Sequence, residues 1–328
     1  MNTHKVIFDT DPGVDDAIAL YFALAHPRID LLGITTTFGN VTVEQAAINA
    51  LYLTTLANRQ VSVTKGIGKP LVNPGLAPPD FIHGADGLGN LPSRTAATGL
   101  VDPRSSAQFI VDMARSYPGE ITLVAVGPVG NLALALALEP ALPNLVRAVI
   151  LMGGTIVEPG NVSPVAEANI WSDPHAADRV FQAGWPLTMV GLDVTHRVVT
   201  ELSLFEKLAR HHGHPATDTL HHAVKFYATF YSGLHKHLDA TPGCYAHDLL
   251  AFLYLVAPDF FRTETGCVRV AIEGLAQGQT ILDRRPFIDY PQMGWSANQP
   301  QTQVCMEVNA PACLQLFEET MLSDWLAR

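Results

Sequence analysis

The chain of 328 residues has four cysteines, Cys244, Cys267, Cys305 and Cys313, all in its C-terminal part and none in CxxC or finger spacing. That scarcity excludes a disulfide framework and a zinc finger, and it leaves the thiols as small buried hydrophobes in a reducing compartment. No HExxH pattern accompanies the seven histidines between His211 and His237, so a zinc site is not expected there. Long apolar runs are missing too, none approaching the roughly 20 residues that a bilayer span requires. The N-terminal Met1–Lys5 leads straight into an apolar strand with no signal core, and a cytoplasmic protein without a membrane partner is expected. Positive charge is scarce, with Lys plus Arg at 20 against Asp plus Glu at 31, a net charge of −11. A nucleic acid or an anionic membrane needs a basic face, so neither is expected as a partner. No repeat, low-complexity stretch or linker interrupts the chain, which reads as one domain over residues 1–328. A hydrophobic share of 48% with only 16% charged residues fits a well-buried globular enzyme.

Against these absences stands a concentration of acid near the start. Val6, Ile7 and Phe8 form a short apolar run that reads as a buried strand, and Pro12-Gly13 ends it. Helical spacing follows over Ala17–Ala25. Asp9, Asp11, Asp15 and Asp16 therefore lie at the carboxyl end of a strand and on the first turn of a helix. Two acids would serve as helix caps, where they meet free N–H groups and the positive end of the dipole. Four exceed that need, and so many like charges in one turn call for a hard cation with oxygen ligands, such as Ca²⁺. Such an ion also activates water at neutral pH.

Strands then alternate with helices. Ile29–Thr37 ends in Phe38-Gly39-Asn40, a helix is predicted over Val43–Ala57, and a short strand over Val61–Val63. Another helix is expected over Ser105–Tyr117, a strand over Ile121–Val126 ending at Gly127-Pro128, a helix Leu132–Leu138 opened by Asn131, and strands over Val146–Met152 and Pro186–Val190. This order predicts an α/β fold with a mostly parallel central sheet flanked by helices, a Rossmann-like open sheet whose site lies at the carboxyl ends of the strands. Gly66–Gly99 reads as one long loop containing His83, of the kind that forms lids or binding loops. Asn161, Glu167 and Asn169 fall within nine residues of irregular chain, where amide and carboxylate groups suit sugar hydroxyls. Asp173 reads as the cap of a helix over His175–Gln182, and Asp193 as a structural hydrogen-bonding acid. The set Phe226, Tyr227, Phe230 and Tyr231 has i, i+4 spacing and reads as core packing. Asp248, before the apolar helix Leu249–Val256, would alone be a cap. Strands are expected around Val268–Ile272 and Thr302–Val308.

The stretch Asp9-Thr10-Asp11-Pro12-Gly13-Val14-Asp15-Asp16 resembles the N-terminal signature of the inosine-uridine preferring nucleoside hydrolases, which are Ca²⁺-dependent ribohydrolases. The stretch from His83 to Gly89, the turn Gly127-Pro128-x-x-Asn131, the Asn161–Asn169 stretch and the pair His247-Asp248 are similar to family motifs, and the resemblance runs from Lys5 to about Val308. It implies hydrolysis of the N-glycosidic bond of a ribonucleoside substrate, with Ca²⁺ held by Asp11, Asp16, Asp248 and the main-chain carbonyl of Val126. Family members often have Thr at that last position, but a main-chain donor survives the change to Val. The resemblance further implies Asp11 as the base toward water, and His247 as the group beside the leaving base. Asp15, Asn40, His83, Met152, Asn161, Glu167 and Asn169 would contact the substrate, Thr280 and Asp283 would form a family-like turn, and the protein would be a homodimer or homotetramer. The His247-Asp248 pair, with no Trp in that place, points to pyrimidine nucleosides or a broad range. Three other readings compete. Asp9-Thr10-Asp11 resembles the opening of haloacid dehalogenase-type phosphatases, but Gly13 stands where Thr or Val is wanted and no phosphate-gripping Lys is evident. A non-catalytic nucleoside- or ribose-binding protein would need to have lost metal or base ligands that are present here. A ribosylated compound other than a nucleoside would suit the same parts.

Overall fold

The computed structural model describes residues 3–234, 242–285, 295 and 299–327. Its first strand, β1 (His4–Thr10), sends Val6 and Phe8 into one hydrophobic core and Ile7 into another. Both faces of the strand are therefore covered, which is why Val6, Ile7 and Phe8 run apolar in succession instead of alternating. Eight further strands complete the sheet: β2 (Ile29–Thr36), β3 (Ser62–Lys65), β4 (Asp102–Ser105), β5 (Ile121–Ala125), β6 (Ala148–Met152), β7 (Leu187–Val190), β8 (Phe261–Gly266) and β9 (Thr302–Val308). They lie in the order β8-β9-β7-β6-β5-β1-β2-β3-β4, all paired parallel except the antiparallel edge pair β8 and β9.

From β1 the chain builds outward to β4, then returns to the other side of β1 and builds outward again. The strand order thus reverses between β1 and β5, and the crevice at such a reversal, beyond the carboxyl ends of the strands, is where open α/β sheets bind ligands. Helix α1 (Val14–Ala25) follows β1, and α2 (Gly130–Leu138) follows β5. Helices α3 (Pro215–Leu234) and α4 (Leu249–Val256) come from the C-terminal part. The α4 helix is apolar over its whole length because it is buried all round, with Phe252 meeting Phe8 edge to face at 5.0 Å.

Several expectations need correction. The first helix starts at Val14, three residues before its apolar spacing begins, since Asp15 and Asp16 are tolerated in its first turn. The loop Gly66–Gly99 contains a short helix, Asp80–His83, and Asp102–Ser105 adds an edge strand that was not anticipated. Strand β8 was also unexpected. Thr280 opens a strand, Thr280–Leu282, paired with Val268–Val270, and Asp283 follows it. Two histidines of the His211–His237 group, His235 and His237, lie outside the described residues. No helix among the described residues is long and apolar enough to cross a membrane.

Candidate active site

Asp11 stands just past the end of β1. Its Oδ2 accepts the N–H of Asn40 at 2.6 Å, and its Oδ1 is buried with no hydrogen-bond partner. The backbone is shaped to admit this carboxylate: a Cβ on Gly39, whose φ is +152°, or on Gly127 would collide with it. Asp16 closes the N-terminus of α1, its Oδ2 accepting the N–H of Gly13 at 2.9 Å and the Nδ2 of Asn40 at 3.0 Å. Its Oδ1 accepts the hydroxyl of Thr10. Asp15 points elsewhere, with Oδ1 unpartnered and 4.0 Å from Nδ1 of His83. Asp248 occupies the N-cap position of α4, yet its side chain makes no capping bond.

Oxygens of Asp15, Asp16 and Asp248 all lie within 4.8 Å of one another. All three are buried, as is Asp11, and burial together with neighbouring carboxylates holds Asp11, Asp15 and Asp248 well above the usual carboxylate range. Burial also raises Asp16, against the hydrogen bonds from Thr10 and Gly13. Orphaned, buried, mutually repelling oxygens with no Lys or Arg among the described residues lining their cavity form a donor set suited to a hard cation. The cluster could therefore hold a metal ion. The tight triple includes Asp15, which the sequence assigned to the substrate, while Asp11 stands beside it.

Asp11, Asp15 and Asp248 line a cavity of about 980 Å³. Val126 lies just past β5, and its carbonyl accepts Nδ2 of Asn169 at 2.7 Å. The same Nδ2 lies 3.2 Å from the Met152 carbonyl, and Met152 is buried at the end of β6. Glu167 caps the short helix Ala168–Ser172. Its Oε1 accepts the N–H of Asn169 at 2.9 Å, and its Oε2 those of Gly154 at 2.9 Å and Ile170 at 3.1 Å. Burial raises its pKa to about 6 despite these bonds. Asn161 lies exposed at the rim, with Oδ1 accepting the N–H of Ala168 at 3.0 Å. All of these residues, with Asn40, line the cavity.

His83 ends the short helix Asp80–His83. Its Nδ1 accepts the N–H of Val14 at 3.2 Å, its ring stacks on Tyr227 at 5.0 Å, and burial lowers its pKa to about 3. The accepting Nδ1 fixes the neutral tautomer with its proton on Nε2. His247 is bonded at both nitrogens, Nδ1 to the Thr195 hydroxyl at 2.8 Å and Nε2 to the Tyr231 hydroxyl at 3.0 Å. Tyr231 in turn meets the Tyr227 hydroxyl at 3.2 Å. Burial and the charge of Asp15 keep both phenols protonated.

The reading of the aromatic set in α3 as core packing holds for Tyr227, Phe230 and Tyr231 and is incomplete. Tyr227 and Tyr231 are buried in the core, but they and Phe230 also line the cavity. A signal was present, since two tyrosines at i, i+4 bring two hydroxyls to one helix face, and buried hydroxyls require partners. Glu158 and His196, paired at 3.3 Å on the same wall, carried no such signal. Asp193 has its expected structural role, accepting the N–H groups of Ile156, Val157 and Glu158 at 2.7 to 3.1 Å. Asp173 caps its helix by accepting from Ala176.

Comparisons with known proteins agree with this geometry. Residues 6–315 match the family model of the inosine-uridine preferring nucleoside hydrolases. A probable uridine nucleosidase of Arabidopsis thaliana is 38% identical over 324 residues, covering 98% of each chain. Among solved structures, a plant nucleoside hydrolase superposes with a TM-score of 0.90 at 34% identity, covering 98% of this chain and 99% of that one. A purine-preferring ribonucleoside hydrolase from Gardnerella vaginalis gives 0.89 at 33% identity with the same coverage. With the family model matched over residues 6–315 and these relatives alike over nearly its full length, the chain belongs to the inosine-uridine preferring nucleoside hydrolases.

Proposed function

We propose that the protein hydrolyses the N-glycosidic bond of ribonucleosides to free base and ribose, acting on pyrimidine nucleosides or a broad range, with Ca²⁺ as its resident cation. The observation that carries this reading is the group of buried, partly unpartnered carboxylates at a cavity large enough for a nucleoside. Asp11, Asp16, Asp248 and the Val126 carbonyl would hold the ion, with Asp15 close enough to join them. Ca²⁺ bound there would supply positive charge that acidifies a water and orients ribose hydroxyls. Asp11, with one oxygen unpartnered, would take the proton of the attacking water. The water oxygen then bonds to the anomeric carbon as the bond to the base nitrogen breaks. Asp15, Asn40, Met152, Asn161, Glu167 and Asn169 would hold the ribose as its ring flattens toward an oxocarbenium-like state. His83 would offer its Nε2 proton to the substrate. His247 would supply a proton toward the departing base through the Tyr231 hydroxyl that its Nε2 meets, with Thr195 fixing the ring at Nδ1.

The four free, buried cysteines support a reducing, cytoplasmic setting, and a salvage role follows from the products. We read residues 1–328 as one catalytic domain, because the two cores flank a single sheet, and as forming a homodimer or homotetramer. Ribose release from uridine, cytidine, inosine and adenosine, with and without a Ca²⁺ chelator, tests the proposal. Release that the chelator abolishes and added Ca²⁺ restores supports it. Release that is insensitive to chelation overturns the metal assignment, and no release from any of the four overturns the substrate class.

A further inference from the structure

One buried carboxylate has no part in the scheme above. Asp9 is 1% exposed, in the last turn-facing part of β1, and its Oδ2 has no hydrogen-bond partner. Its Oδ1 accepts two bonds, from the Thr35 hydroxyl at 2.5 Å and from Nδ2 of Asn131 at 2.8 Å. Asn131 is then fully committed: the same Nδ2 reaches the Thr36 carbonyl at 3.0 Å, and its Oδ1 accepts the N–H of Ile67 at 2.9 Å. The Ile67 carbonyl accepts the N–H of Phe38 at 3.2 Å, and the main-chain carbonyl of Asp9 accepts the N–H of Val126 at 2.9 Å.

A single carboxylate thereby ties together three carboxyl-end segments. The β1 end carries Asp11 two residues on. The β2 end leads through Phe38 to Asn40, which bonds Asp11 and Asp16. The turn between β5 and α2 carries Val126 and is anchored from behind by Asn131. A carboxylate buried with one oxygen unsatisfied is costly to keep. An apolar side chain would pack β1 more cheaply but would accept neither donor.

We propose, resting on the metal reading above, that Asp9 is the positioning residue of the cation site. It touches no ion, and acts by holding β1, β2 and the β5 turn so that the Asp11 carboxylate and the Val126 carbonyl converge. The role belongs to its two accepted hydrogen bonds, so an uncharged acceptor of the same shape suffices.

The test titrates Ca²⁺ by calorimetry into the chelator-stripped full-length protein, with the melting temperature of the stripped protein measured in parallel. Wild type binds. Asp9→Ala should bind 10- to 100-fold more weakly, roughly the loss seen when an outer-shell partner is removed, and Asp9→Asn should bind close to wild type. Wild-type affinity in Asp9→Ala, even with a lowered melting temperature, would make the residue merely structural and overturn the inference. So would an Asp9→Asn variant as weak as Asp9→Ala, because charge and not bonding would then be at work. If Asp9→Ala does not fold, Thr35→Val, which keeps the shape and removes one of the two bonds, should still weaken Ca²⁺ several-fold; an unchanged affinity overturns the inference. Absence of Ca²⁺ binding in wild type overturns the metal reading itself and this inference with it, and that arm separates the two failures.

Discussion

His247 is gripped at both ring nitrogens, by Thr195 and by Tyr231, so its ring cannot turn away from the cavity without breaking two hydrogen bonds. Removing the ring should therefore act on the chemical step more than on binding. In His247→Ala, kcat for uridine and inosine is expected to fall by roughly 100-fold or more with a smaller change in KM, the usual worth of general acid catalysis. Steady-state ribose release checks this, and wild-type turnover on both substrates would remove His247 from the role. Asp248 makes no capping bond, so Asp248→Asn should leave α4 intact while weakening cation binding. Circular dichroism against a Ca²⁺ titration separates the two effects, and lost helicity with unchanged affinity would return Asp248 to a capping role. Glu167 gives a pH signature. Burial holds its folded pKa at about 6, above the ordinary 4.5, so it takes up a proton, and with it loses acceptor capacity for substrate hydroxyls, as pH falls through about 6. KM is expected to rise below that point.

At the scale of elements, much of the architecture could be read in advance because the central parallel strands β1, β5, β6 and β7 carry apolar runs followed by glycine or proline turns. The run Val6–Phe8 and the turn after it gave both β1 and the acidic cluster. What stayed hidden has identifiable causes. The β8 strand, Phe261–Gly266, alternates with charged residues at an edge, where one side faces water and the apolar signal is diluted. The short β4, Asp102–Ser105, is too polar to announce itself. The aromatic positions of α3 serve core and cavity together, and spacing alone cannot separate those duties. The ligand-bearing turns also make a prediction of their own. Gly39→Ala places a methyl against the Asp11 carboxylate at a φ that side chains rarely adopt, which should cost about 1–3 kcal/mol. It should also weaken Ca²⁺ binding, and wild-type affinity in that variant would show that the turn yields freely.

Across the whole molecule the clustered acids make stability depend on the cation. In the stripped protein Asp9 has its pKa raised from 3.8 to about 7, and Asp11, Asp15, Asp16 and Asp248 are raised as well. A carboxyl with a raised folded pKa binds protons more tightly in the native state than in the unfolded chain. The contribution of these acids to stability is thus greatest in acid and is lost as pH climbs from near 4 through about 7, while buried His83 and His26, held neutral, act in the opposite direction below about 6.5. The chelated protein is expected to melt at progressively lower temperature over that range. Ca²⁺ at 100 times its Kd should restore about 2.7 kcal/mol. Melting curves at several pH values, with and without Ca²⁺, check this, and a pH-independent difference would mean that the carboxylates are neutralised by other means.

The central place of β1 carries a consequence for how the protein is made. The strand that leads into the acidic turn, β1, lies in the middle of the sheet, and its second neighbour, β5, begins only at Ile121. Asp248 leaves the ribosome 232 residues after Asp16 (248 − 16). Until then the N-terminal acids have no counterpart across the crevice, and the nascent chain exposes a strongly acidic turn with nothing to close it. With the proposed ligands, capture of the ion would be a late event in biosynthesis. On the proposed ligand set, a chain interrupted before residue 248 would carry the signature motif without Asp248, and binding of the ion would report that the N-terminal acids and the segment bearing Asp248 have met.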